Sequence, residues 1–304
     1  MAHEIVHIAG PSWKLDVWPA LGAVLVGASA RREADWLVVT PPVDAATLAE
    51  RDILKLGGFP LAPFCNRIEG GRFDFEGAGC KVPLNWPPDP SVAIHGLSWQ
   101  RSWATDSHTA DRLMLSQTID EEYSAFRYAA ELTFDVATEV AQTELTIRNI
   151  GERKLPFGVG FHPYFRRTPQ AVVAFETDGW LEPDARCLPV AWHPLGSAQD
   201  ARAGRLVDAF SGTDATFTGW KQRAWLSWPE LGARIELEAG GAARALHAYV
   251  PDGRTFLCLE PVSHVTDVMN RRQFARYGDM DVLAPGAALG ISMSWRLAAI
   301  GAEV

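Results

Sequence analysis

Four short segments place polar or titratable side chains inside apolar or glycine-rich runs, where proton transfer or hydrogen bonding can be directed. In Pro156-Phe157-Gly158-Val159-Gly160-Phe161-His162-Pro163-Tyr164-Phe165, one histidine stands among aromatic, glycine and proline residues with no charge in the run. Histidine titrates near neutrality, and the proline after it fixes the local backbone, so the ring can be aimed. A buried, hydrogen-bonded histidine at a strand end is the alternative. In Thr255-Phe256-Leu257-Cys258-Leu259-Glu260-Pro261, a carboxylate ends an apolar strand that the proline is expected to stop. Burial raises a glutamate's pKa toward the value a general base needs, whereas a solvated strand-end Glu has no such task. Arg67, after Asn66 and before Gly70-Gly71, either donates a fixed pair of hydrogen bonds or lies on a hairpin surface. His95 is followed by Gly96, whose missing side chain would let a ligand approach the ring. Asp214 is a less specific candidate, since aspartate is ordinary in turns.

Strands must position these groups. Leu132 and Phe134 alternate with Glu131, Thr133 and Asp135, and the pattern returns around Leu145, Ile235 and Ile291. This period of two predicts antiparallel sheet with one wet face. Pro and Gly clusters punctuate the strands at Pro41-Pro42, Gly57-Gly58, Gly70-Gly71, Pro87-Pro88 and Gly240-Gly241. Helical periodicity is short, around residues 45–52 and 267–276. With no linker, low-complexity segment or fixed-period repeat, residues 1–304 read as one all-β domain. So many strands curl into two packed sheets, a β-sandwich with its site on one concave face or at the rim.

Composition narrows the function classes. A net charge of -9 argues against nucleic-acid or anionic-membrane partners, which need a basic face. A neutral small molecule fits better, and the 12 Trp and 14 Phe supply flat faces that fill a core or stack on sugar rings. Cys65, Cys80, Cys187 and Cys258 are widely spaced and read as reduced thiols of a cytoplasmic protein. The apolar run at residues 20–27 reads as a buried strand rather than a signal peptide, because Glu4, Asp16 and a single Lys14 precede it. No run reaches transmembrane length.

Together, Asn66-Arg67-Ile68 with Gly71, Phe73 and Gly77, then His95-Gly96, Gly160-x-His162-Pro163-Tyr164-Phe165, Asp214-x-x-Phe217, and Glu260-Pro261 with Asn270 resemble the aldose 1-epimerases of the galactose mutarotase type. The resemblance implies a large antiparallel supersandwich that binds a monosaccharide in a cleft on one sheet, without cofactor or metal, as a monomer or homodimer. It implies that Glu260 is the general base at the anomeric hydroxyl and His162 the acid at the ring oxygen. His95 and Arg67 then hydrogen-bond the sugar near that oxygen, with Asn66 beside them, and Asp214, or Asp252 instead, holds sugar hydroxyls. Phe161, Tyr164 and Phe165 are expected to orient the His162 ring.

Three rivals remain open. His95, His162 and Glu260 could form a two-histidine, one-carboxylate metal site. The fold could bind sugar without turning it over. A hexose-6-phosphate 1-epimerase is the third, since Arg101, Arg166 and Arg167 lie close in sequence to the two histidines. His264 and Arg166 have no role in the epimerase scheme.

Overall fold

The computed structural model describes residues 5–299; residues 1–4 and 300–304 of the expected domain lie outside the described residues. Two antiparallel sheets of eleven and nine strands dominate it. Five strands at the centre of the larger sheet carry the site: β1 (Gly58–Leu61), β2 (Gly160–Arg166), β3 (Thr213–Thr218), β4 (Ala245–Val250) and β5 (Phe256–Val262). They lie side by side in the order β1-β2-β5-β4-β3. Val24–Arg32 extends the sheet beyond β1, and Gly179–Pro183 extends it beyond β3.

The smaller sheet follows the predicted alternation. In Arg127–Asp135, Tyr128, Ala130, Leu132 and Phe134 are buried and their neighbours are not. Inward side chains of the two sheets meet in the middle: Phe165 of β2 packs on Trp295, with ring centroids 5.1 Å apart. Because side chains alternate along a strand, sending Phe161 and Phe165 into this core sends His162 and Tyr164 to the opposite face. Cys258 and Glu260 likewise alternate with the buried Leu257 and Leu259. That opposite face is not wet. An arm containing the paired strands Arg67–Glu69 and Val92–Ile94 contributes to its cover, which is why β2 and β5 are buried along nearly their whole length.

Several local expectations shift. The helix expected at 45–52 spans Ala45–Glu50, capped by the Asp44 side chain, whereas 267–276 yields only a 3-10 turn at Arg272–Tyr277. The apolar run becomes a strand only from Val24, after a turn through residues 19–23. Pro261 does not stop its strand: β5 continues to Val262. The ladder accommodates it by skipping. β2 and β5 pair at Gly160↔Val262 and again from Tyr164↔Cys258, with no pairing between, where Pro163 and Pro261 both lack an N–H.

Candidate active site

His162 and Glu260 face one another across that interruption, with Nε2 3.2 Å from Oε1. Ladder partners extend the row in both directions, from Phe59 beside His162 to His247 beside Glu260 and Thr216 beyond it. A second row holds Tyr164, Cys258, Tyr249 and Asp214. His162 therefore sits mid-strand rather than at a strand end. Its ring lies between Phe59 and Tyr164, with centroids 4.7 and 4.9 Å away. Phe161 and Phe165, expected to help orient it, belong to the other face, and Phe59 does this work instead.

Burial decides the protonation of the pair. Glu260 is 1% exposed, and loss of water pushes its carboxyl well above the ordinary range, with the charge of Asp214 adding to the effect. His162 is pushed down to about 3, by burial first and His247 second. Both directions favour uncharged groups, so the contact is one within a neutral pair rather than an ion pair. Glu260 Oε2 and His162 Nδ1 are buried with no hydrogen-bond partner.

The arm supplies the next groups. Asn66 and His95 both adopt left-handed backbone, at φ 58, and lock together: His95 N–H donates to the Asn66 carbonyl at 2.9 Å, and Asn66 N–H donates to His95 Nδ1 at 3.0 Å. With Nδ1 accepting, the neutral ring carries its proton on Nε2 as a donor. Burial, followed by His162, keeps His95 well below its usual pKa and hence uncharged. Gly96 serves the backbone, not ligand access as expected: a Cβ there would stand 2.1 Å from the Ala62 carbonyl oxygen.

Arg67 is not a surface hairpin residue. Its guanidinium donates to Asn66 Oδ1 at 3.0 Å and pairs with Asp214 Oδ2 at 3.2 Å. Asp214 lies on β3 rather than in a turn, and its Oδ1 is 2.9 Å from His247 Nε2. Burial raises its pKa, but the bond and charge of His247 and the charge of Arg67 overcome this and hold the carboxylate ionised. Asp252 is elsewhere, accepting from Ser211 Oγ at 2.6 Å and absent from the cleft wall.

These groups line one cleft of about 490 Å³, with Trp86, Tyr164, Tyr249 and Phe256 as aromatic walls and Lys55 and Arg254 among the lining cations. The volume suits a small organic ligand. Sequence reasoning missed His247; its signal was a lone histidine in the apolar strand Ala245–Val250, on the cleft-facing phase beside Glu260. His264 is structural: Nδ1 donates to the Val265 carbonyl and Nε2 accepts from Cys65 N–H at 2.9 Å. Of the expected basic residues, Arg101 is tied to Glu121 and Arg167 to Asp208, and with Arg166 they lie outside the cleft wall. Among the described residues, the metal-type donors that converge are His162, Cys258 and Glu260, with His95 outside the group.

No helix among the described residues is long and apolar enough to cross a membrane. Comparison with known proteins agrees with the architecture. The structure superposes on a candidate aldose 1-epimerase of Escherichia coli K12 with a TM-score of 0.86 at 28% identity, covering 98% of this chain and 99% of that one. A galactose mutarotase-like protein of Clostridium acetobutylicum gives 0.85 at 16% identity, covering 98% and 96%. In sequence, the chain is 30% identical to the uncharacterized protein YphB of Escherichia coli K12 over 79% of its own length and 83% of that protein's. The family model for aldose 1-epimerase matches residues 17–295, and the chain belongs to that family.

Proposed function

We propose that the protein interconverts the α and β anomers of a free aldose, with glucose and galactose as the substrates to test first. Family membership supports an epimerase-type action on sugars. The observation that carries the finer reading is the buried His162–Glu260 pair, left short of hydrogen bonds inside a cleft with room for a monosaccharide. Opening a cyclic hemiacetal requires one proton taken from O1 and one given to O5. Both oxygens are bonded to C1, so a bound sugar would take, on Glu260 and His162, the places each now fills for the other. Sugar binding first moves the shared proton from Glu260 to His162 Nε2; Glu260 then receives the O1 proton while His162 delivers its own to O5, and rotation about C1–C2 and reclosure with roles reversed give the other anomer. A positioned acid or base contributes ~10²–10⁴-fold.

The pair works with one proton between its two members, since each half-reaction moves that proton from one side to the other. Gaining a second proton or losing the only one leaves a net charge in the buried site, so burial widens the pH range of the competent state. His95 Nε2–H, Arg67 and Asn66 would hold the sugar near its ring oxygen, and Asp214 its hydroxyls. The test is polarimetry of freshly dissolved α-D-glucose and α-D-galactose with and without protein. Acceleration of neither, nor of any other free aldose, refutes the reading, and sugar binding without acceleration identifies a non-catalytic binding domain. Arg254 on the cleft wall favours a second reading, a sugar bearing an anionic group, whereas Lys55 there is paired with Glu50. Hexose 6-phosphates in the same assay decide it by their KM.

A further inference from the structure

We propose that His162, Cys258 and Glu260 form a binding site for a thiophilic divalent cation of the zinc type, and that this ion switches off the epimerase reaction while it is bound. The inhibitory half rests on the acid–base reading above; the site itself does not. The three side chains are buried, and one donor atom from each lies within 4.8 Å of the other two. Zinc bonds of ~2.0–2.3 Å in tetrahedral arrangement put neighbouring ligand atoms about 3.6 Å apart. His162 Nε2 and Glu260 Oε1, at 3.2 Å, are near that spacing already. A small side-chain adjustment brings in the thiol.

The β-sheet makes the grouping firm. Cys258 and Glu260 are two residues apart on β5 and so share a face, and Tyr164, two residues along β2 from His162, is the ladder partner of Cys258. The catalytic scheme gives Cys258 no task, and Glu260 Oε2 is buried without a partner. A neutral imidazole, a thiolate and a carboxylate together carry two negative charges, which a divalent ion cancels in a buried site. The mixed sulfur, nitrogen and oxygen set selects zinc, cobalt or cadmium over magnesium or calcium, which require oxygen ligands. The ion would hold the same His162 and Glu260 atoms that must exchange protons with the sugar. Ion and sugar therefore compete.

Titration of EDTA-dialysed protein with Co²⁺ tests the site without any assay of turnover. One equivalent should produce a thiolate-to-cobalt charge-transfer band in the near ultraviolet, and Zn²⁺ should remove it. Cys258→Ala should abolish the band and weaken binding by ~100-fold or more, beyond the ~10–100-fold that loss of an outer supporting group costs. Cys187→Ala, the control for the half-buried thiol, should retain the band. In polarimetry, Zn²⁺ should inhibit the wild type, EDTA should restore it, and more sugar should demand more Zn²⁺. No band, or a band that survives Cys258→Ala, overturns the site. Activity lowered by EDTA overturns the inhibitory role. A band in a protein that accelerates no aldose upholds the site and refutes the epimerase reading instead.

Discussion

Two carboxylates on the same sheet, Glu260 fully buried and Asp214 only partly so, are treated in opposite ways. Asp214 has a partner for each oxygen, Arg67 at 3.2 Å and His247 at 2.9 Å, and is held ionised. Glu260 has one contact, to His162, has an oxygen with none, and is held protonated. A carboxylate with its partners in place presents a fixed charge to a ligand's hydroxyls. One left short of partners, beside a histidine that burial also keeps neutral, is free to pass a proton. The distinction follows the number of donors that the neighbouring strands and arm supply, and the deeper burial of Glu260 widens it.

Glu260→Gln is the strongest way to break this contrast. The amide keeps the volume and replaces a group that is already neutral, so thermal stability should hold while anomer interconversion falls by ~10²–10⁴-fold. His162→Asn should lose a similar factor. Activity within tenfold of wild type in either variant, with the fold intact by circular dichroism, would remove the pair from the mechanism.

Arg67→Ala should act on the other side of the comparison. It strips a partly buried ionised carboxylate of one of its two partners, a change that costs about 1–3 kcal/mol. In urea unfolding the variant should lose that stability, and in turnover KM should rise more than kcat falls. A variant with native stability and a collapsed kcat would put Arg67 in the proton transfer itself.

The sequence exposed the reactive half of the site more readily than the binding half. Glu260, His162 and His95 stand out because a lone polar group in an apolar or glycine-rich run needs a reason. What depends on ladder neighbours is invisible along the chain: His247 reaches Asp214 only because β4 lies beside β3, and Phe59 reaches His162 only because β1 lies beside β2. The prolines misled for the same cause. Pro261 reads as a strand terminator until Pro163 on the neighbouring strand shows the ladder passing over both. Gly96 reads as an opening for ligand, and proves to be a close approach between two backbones.

The pH dependence of stability sharpens the claim that the pair is neutral. In the folded protein His162 stays unprotonated down to about 3, whereas in the unfolded chain an imidazole gains its proton near pH ~6.5. Its folded pKa is thus the lower one, so the unfolded state binds more protons on acidification and stability falls below pH ~6.5, by ~2 kcal/mol at pH 5. His162→Asn lacks this loss. The stability difference between the two proteins should move by that amount in favour of the variant between pH 7 and pH 5. His95 and His264 are present in both and largely cancel. A difference that does not change with pH would mean that the folded imidazole titrates as it does in water.

The smallest effect belongs to the aspartate that sequence alone could not separate from Asp214. Asp252 lies in the turn after β4, is exposed, and accepts from Ser211 Oγ at 2.6 Å. An exposed hydrogen bond of this kind contributes little, so Asp252→Ala should change stability by no more than about 0.5 kcal/mol and should leave KM as it is. Asp214→Asn keeps the shape but removes the charge that Arg67 and His247 both address, and should raise KM. If instead Asp252→Ala raised KM while Asp214→Asn did not, the sugar would lie nearer the loop between β4 and β5 than the Arg67–Asp214 pair allows. The fixed charge on the binding side of the cleft would then have to be sought at Arg254, two residues further along that loop.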